Sequence, residues 1–134
     1  MAFIRFVSAT RDPDSGVETG LFELAYALLD ADGVDLAHRK ALRDGLAWFE
    51  KNLPTPHRFN RSKTKGYYRR NTKGIAWFRD SATECITRMH GLKRLLEANG
   101  FLVSMVREIQ VGYIVYEDDL QVIAEPFSET QTGD

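Results

Sequence analysis

The chain has 134 residues, 43% of them hydrophobic and 28% charged, with a formal net charge of −1. That length fits one domain able to bury a core without disulfides or a metal. A single cysteine, Cys85, excludes an intrachain disulfide and suits a reducing compartment, and no apolar run approaches the roughly 18 residues a membrane span needs.

Ala2 to Ser8 reads as a strand, with the β-formers Phe3, Ile4, Phe6 and Val7 interrupted by Arg5. The opening residues lack the charged-then-apolar layout of a signal peptide, so the expected compartment is the cytoplasm. Asp12-Pro13-Asp14 signals a turn, and Ser15 to Glu18 has the form of a capping box. A helix over about Gly16–Asp30 then places Val17, Leu21, Leu24 and Leu28 on one face. Asp32-Gly33 ends it. Asp35 caps a second helix, Leu36–Asn52, whose inward face is Leu42, Leu46 and Phe49, continuing to Leu53 beyond its end, with Trp48 alongside. The short connection predicts an antiparallel helical hairpin, stopped by Pro54 and Pro56.

The longest predicted element is a single helix over Gly74–Asn99, capped by Asn71 or Thr72. Phe78, Ala82, Cys85, Met89, Leu92 and Leu96 step along it by fours and threes, giving one wide apolar face. Gly91 inside it suggests close approach of a neighbour, and Gly100 fits the left-handed position after the last turn. Beyond it the pattern becomes extended: strands over 101–109, 112–116 and 120–125, the last two joined at Glu117-Asp118-Asp119. The order β-α-α-loop-α-β-β-β predicts an α+β fold: a four-stranded, mostly antiparallel sheet with helices packed on one face. Residues 1–127 form the expected domain and 128–134 a frayed tail.

The net charge conceals a polarised distribution. His57 to Lys73 holds seven Lys or Arg and no acid, while everything after Arg107 holds seven acids and no base. Removing the seven cations leaves 11 bases against 19 acids, or −8. Arg58, Arg61, Lys63, Lys65, Arg69, Arg70 and Lys73 can neutralise phosphates, and Tyr67 and Tyr68 can stack on unpaired bases. This basic loop, 57–73, is the candidate binding site. Its expected partners are nucleic acid or an acidic protein, including a second copy of the chain, with no membrane partner and no cofactor. The bland reading is a solvated loop that balances acidic surface elsewhere.

Other constellations are weaker. His38, His57 and His90 fall in no metal-ligand spacing. Cys85 lies in the apolar stripe, as buried free cysteines commonly do. The segments around Asp12–Gly16 and Asp30–Asp35 lack the glycine and glutamate positions of a calcium loop. Glu117–Asp119 can recruit a divalent cation or simply form a solvated turn. Trp48-Phe49 and Trp77-Phe78, read as helical pairs, each leave one aromatic partly exposed or sit in a thick core that wraps both sides of the helix.

Three stretches together, Trp48-Phe49 through Pro54 and Arg58-Phe59, Trp77-Phe78, and Gly112–Asp119 through Gln121–Phe127, resemble a set of short bacterial proteins of uncharacterised function. That resemblance covers most of the chain, implies a stand-alone bacterial protein and brings no catalytic or binding residue with it. The element order also resembles RelE-like toxin endoribonucleases, which carry basic residues and tyrosine at the RNA site. The chain departs from them in its long helix before the sheet resumes and in its acidic final third. That comparison implies an enzymatic alternative, RNA cleavage with His57 as base beside Arg61, Tyr67 and Arg70.

Overall fold

The computed structural model describes residues 2–11, 18–55 and 74–130. Among the described residues the fold is α+β, with three helices and an antiparallel sheet. The elements run β1 (Phe3–Arg11), β2 (Glu18–Gly20), α1 (Leu21–Asp30), α2 (Leu36–Asn52), β3 (Ile75–Arg79), α3 (Thr83–Ala98), β4 (Val103–Glu108), β5 (Tyr113–Glu117) and β6 (Gln121–Glu125).

The sheet has six strands, not the four expected, because two strands lie where the sequence predicts helix. The long helix is one correction. Ile75–Arg79 is a strand, and α3 starts only at Thr83. Asp80 explains the break: its backbone N–H donates to Ala2 O (3.1 Å) and its carboxylate accepts from Ala2 N (3.1 Å), pinning the turn to the start of β1. The apolar stripe survives the break. Phe78 faces the helices from β3 and joins the same core as Ala82, Cys85, Met89, Leu92 and Leu96. Trp77 points to the opposite face, so both aromatics are buried, each in its own core. The first helix is the second correction: Glu18–Gly20 pairs with β1 and α1 starts at Leu21, while the Asp12–Asp14 turn and Ser15 lie outside the described residues.

The remaining elements follow the pattern in the sequence. Asp35 caps α2, accepting from Ala37 N at 3.2 Å. Arg39 fastens the helical hairpin by donating to Leu29 O and, at 2.9 Å, to Ala31 O, both at the open end of α1. Tyr26 on α1 donates to Glu50 on α2. Gly100 takes a φ of +92° while Phe101 N–H donates to Leu96 O (3.1 Å) and Gly100 N–H to Glu97 O (3.1 Å), closing α3 with a Schellman motif. The close approach expected at Gly91 lies instead at Gly45, where an added Cβ would stand 2.9 Å from Leu92 Cδ2; around Gly91 the space is open.

Strand β1 is central. β4 lies along one edge, and β3 then β2 share the other: Phe3 and Ile4 face Arg79 and Phe78, while Val7 faces Gly20. β3 continues to β6 and β6 to β5, so β4 and β5 are the outer strands. On a flat sheet they would stand four spacings apart, about 19 Å. They are also joined at opposite ends, since Glu108 is level with Phe3 and Arg79 whereas Tyr113 is level with Glu125, next to the Ala124–Ile75 pair. The diagonal is then roughly 25 Å. Four residues make the link, with a reach of at most about 18 Å. The sheet must therefore roll over on itself. Its concave face encloses a second core of Phe3, Val7, Trp77, Val106, Val122 and their neighbours, to which none of the described helical residues belongs. The three helices cover the convex face.

Gly112 sits in that link with φ +112°, and a Cβ there would lie 2.0 Å from Glu125 O. After β6, Phe127–Thr130 forms a turn tied back to the same link by Thr130 Oγ1 donating to Gln110 O at 2.8 Å, and residues 131–134 lie outside the described residues. Gly112→Ala is expected to destabilise the fold by about 3–5 kcal/mol in urea unfolding, through left-handed strain and backbone overlap. Gly91→Ala, in open space on a helix, should stabilise it by about 0.5–1 kcal/mol. Equal stability of the two variants would refute the close passage at Gly112.

Candidate functional site

The basic loop is inserted between two well-placed anchors, and both are on β6. At its start, Pro54 O accepts from Gln121 Nε2 at 2.7 Å. At its end, Ile75 pairs with Ala124. Gln121 and Ala124 are three residues apart on one strand, on the order of 10 Å. The chain therefore leaves and returns to a narrow strip of the sheet. All the site residues that the sequence singles out there lie outside the described residues: His57, Arg58, Arg61, Lys63, Lys65, Tyr67, Tyr68, Arg69, Arg70 and Lys73.

The acidic hairpin turn supports the first anchor. Asp118 is half-buried. Its Oδ1 accepts from Leu120 N (2.8 Å) and Gln121 N (3.0 Å), and its Oδ2 from Tyr116 Oη (2.8 Å) and Gln121 Nε2 (3.1 Å). Gln121, 4% exposed, is thereby held with its amide on both Asp118 and Pro54. Burial works against ionisation of Asp118, but the bonds from Leu120, Tyr116 and Gln121 prevail and hold its carboxyl below the usual value. Arg79 closes the turn from the other side, donating through Nε to Asp118 O at 2.7 Å and pairing with Glu117 at 3.4 Å. These carboxylates are committed to the turn, and among the described residues no group of three or more His, Cys, Asp or Glu is placed to hold a metal ion.

Among the described residues, Cys85, His38, His90 and Trp48 make packing or hydrogen-bond contacts within the fold. Cys85 is 2% exposed, and burial, with the charges of Glu84 and Asp118, pushes its thiol pKa up, away from a reactive thiolate. His38 Nδ1 lies 3.2 Å from Asn99 Nδ2, joining the start of α2 to the end of α3. The His90 ring meets Phe6 edge-on at 5.1 Å. Trp48 is half-buried, as expected of one member of its pair, with the Arg88 guanidinium 4.3 Å above its ring. Among the described helices none is long and apolar enough to cross a membrane.

Sequence reasoning missed one feature. After Ile4, β1 exchanges its partner β3 for β2, and the strands part. A cavity of about 260 Å³ opens there, beneath the start of α1 and lined among others by Arg5, Phe6, Phe22, Trp77, Phe78 and Met89. The signal was the unrecognised β3, since without that strand there is no parting of strands to find. Compared with known proteins, the chain matches no family model, no curated protein and no solved structure.

Asp118→Ala is expected to cost about 1–3 kcal/mol at pH 7, because Leu120 and Gln121 lose an ionised acceptor. An Asp whose folded pKa is depressed contributes stability above its unfolded value, near 3.9, and loses it as pH falls through the folded value. The difference between wild type and variant should therefore shrink below about pH 4. Urea unfolding at pH 7 and pH 3 measures it; an unchanged difference would show that the ionised carboxylate is not what holds the turn.

Proposed function

We propose that the protein is a non-enzymatic binding module that engages a polyanion through segment 57–73, with a single-stranded nucleic-acid backbone as the favoured partner. One observation carries this reading: seven cations and no acid in 17 consecutive residues, against −8 for the rest of the chain. Arginine offers bidentate contacts to phosphate, and adjacent tyrosines offer base-stacking faces that an acidic protein would not use. The anionic remainder opposes wrapping of nucleic acid around the whole molecule, which confines contact to the loop and keeps the footprint small. The anchoring on β6 supports the reading further, because a segment with both ends fastened about 10 Å apart loses less freedom on binding than an open tail.

The test is fluorescence anisotropy of a labelled single-stranded oligonucleotide with the full chain across a salt series. If all seven cations contact phosphate, log K should fall against log salt with a slope near −5, about 0.7 per contact. Replacing Arg69 and Arg70 by Gln should weaken binding and flatten that slope by roughly 1–1.5. No detectable binding at low salt would refute the nucleic-acid reading. Retention of poly-glutamate under the same conditions would then favour an acidic protein partner.

A further inference from the structure

The cavity on the convex face lies beside the first anchor of the basic segment, and one side chain serves both. Gln121 lines the cavity and holds Pro54 O, and Leu53, the residue before Pro54, lines it as well. Gln121 is the register partner of Phe78, so it stands on the face of the sheet that carries Phe6, Met89 and the helices. Arg5, paired with Val106, and Trp77 belong to the opposite, concave face. The polar side chains on the cavity's own face are therefore Gln121 and Glu23. Gln121 is 4% exposed. Both hydrogens of its amide are committed, one to Pro54 O at 2.7 Å and one to Asp118 Oδ2 at 3.1 Å, and these two acceptors fix which end of the amide is nitrogen. Among the described residues nothing donates to its Oε1. An acceptor left over on so enclosed a side chain calls for a donor. Around it the wall is aromatic: Phe22 is held by edge contacts to Phe49 (4.9 Å) and Phe78 (6.4 Å), with Phe6 and Met89 beyond.

We infer that this cavity takes one unpaired, amino-bearing nucleobase; that the base comes from a strand held by segment 57–73 rests on the polyanion reading. The ring lies against Phe22 and Phe78, and its exocyclic amino group donates to Gln121 Oε1. Size fits the class: a cavity of 150 Å³ takes benzene, so about 260 Å³ suits on the order of ten non-hydrogen atoms, the size of a nucleobase. Glu23 stands exposed on the rim, adds a second acceptor, and keeps phosphates out of the cavity by its charge. Uracil and thymine, with carbonyls in place of the amino group, would set oxygen against oxygen there. The cations of segment 57–73 then hold the backbone while the cavity, next to Pro54, reads a base.

Titration of the 15N-labelled full chain with adenosine, up to about 10 mM, tests this directly. Saturable shifts are expected at the Phe22 and Phe78 amides and at the Gln121 side-chain amide, with the Trp48 indole unmoved. Purine riboside, the same ring system without the amino group, should bind about three- to tenfold more weakly. Ala76 is exposed on β3 and lines the cavity, so Ala76→Leu narrows the cavity and spares the core. In that variant the adenosine shifts should vanish while the rest of the spectrum keeps its folded dispersion. Absence of saturable shifts in the unaltered chain overturns the inference, as does equal affinity for purine riboside or unchanged adenosine binding in Ala76→Leu. Adenosine carries no phosphate, which separates the two readings. Salt-dependent oligonucleotide binding without adenosine shifts overturns the base site alone, and adenosine shifts without oligonucleotide binding overturn the polyanion reading alone.

Discussion

The short link between β4 and β5 governs this molecule. Four residues must join strands that lie at opposite margins and opposite ends of the sheet, and they reach only if the sheet rolls up. Gly112 makes the passage possible, because only a residue without a Cβ can pass Glu125 O so closely. The roll hides one face without help from helices. It frees all three helices to cover the other, and it lets a chain of this length sustain two apolar cores.

The same geometry concentrates what is chemically distinctive around β3 and β6. β6 holds both ends of the basic segment, through Gln121 at Pro54 and Ala124 at Ile75. The acidic turn before β6 is the scaffold for the first of these anchors: Asp118 orients Gln121, and Arg79 braces Asp118. Within the Glu117–Asp119 run, which the sequence offers as a cation site or a solvated turn, Asp118 thus serves as a hydrogen-bonded clamp, with Glu117 paired to Arg79. The partner exchange along β1 leaves the cavity on the convex side, where the start of α1 meets the parting strands.

Much of this was legible from residue spacing, and the failures are physical. Helix α2 was readable because cap, apolar face and proline stop all agree, and the three C-terminal strands because extended runs alternate with turn residues. The Gly74–Asn99 stripe misled because Phe78 and Ala82 are four apart on either reading, and a strand residue facing the helices satisfies the same spacing as a helical one. The run Ile-Ala-Trp-Phe, rich in β-formers and followed by Asp80-Ser81, was the overlooked counter-signal. Glu18–Gly20 is a strand of three residues, too short for any periodicity to show, and its pairing with β1 is a tertiary fact. The cavity depends on that pairing, so no local pattern announces it. The charge of segment 57–73, in contrast, is fully visible in the sequence and owes nothing to the fold.

The most direct measurement of the central claim is a nitrogen–proton correlation spectrum of the labelled full chain during titration with a short single-stranded oligonucleotide at low salt. Shifts concentrated in residues 57–73, with the anchors at Pro54 and Ile75 as their outer limits and reversal on adding salt, are the predicted result. Shifts centred on the helical face of α2 and α3, or a spectrum that does not change, would contradict it.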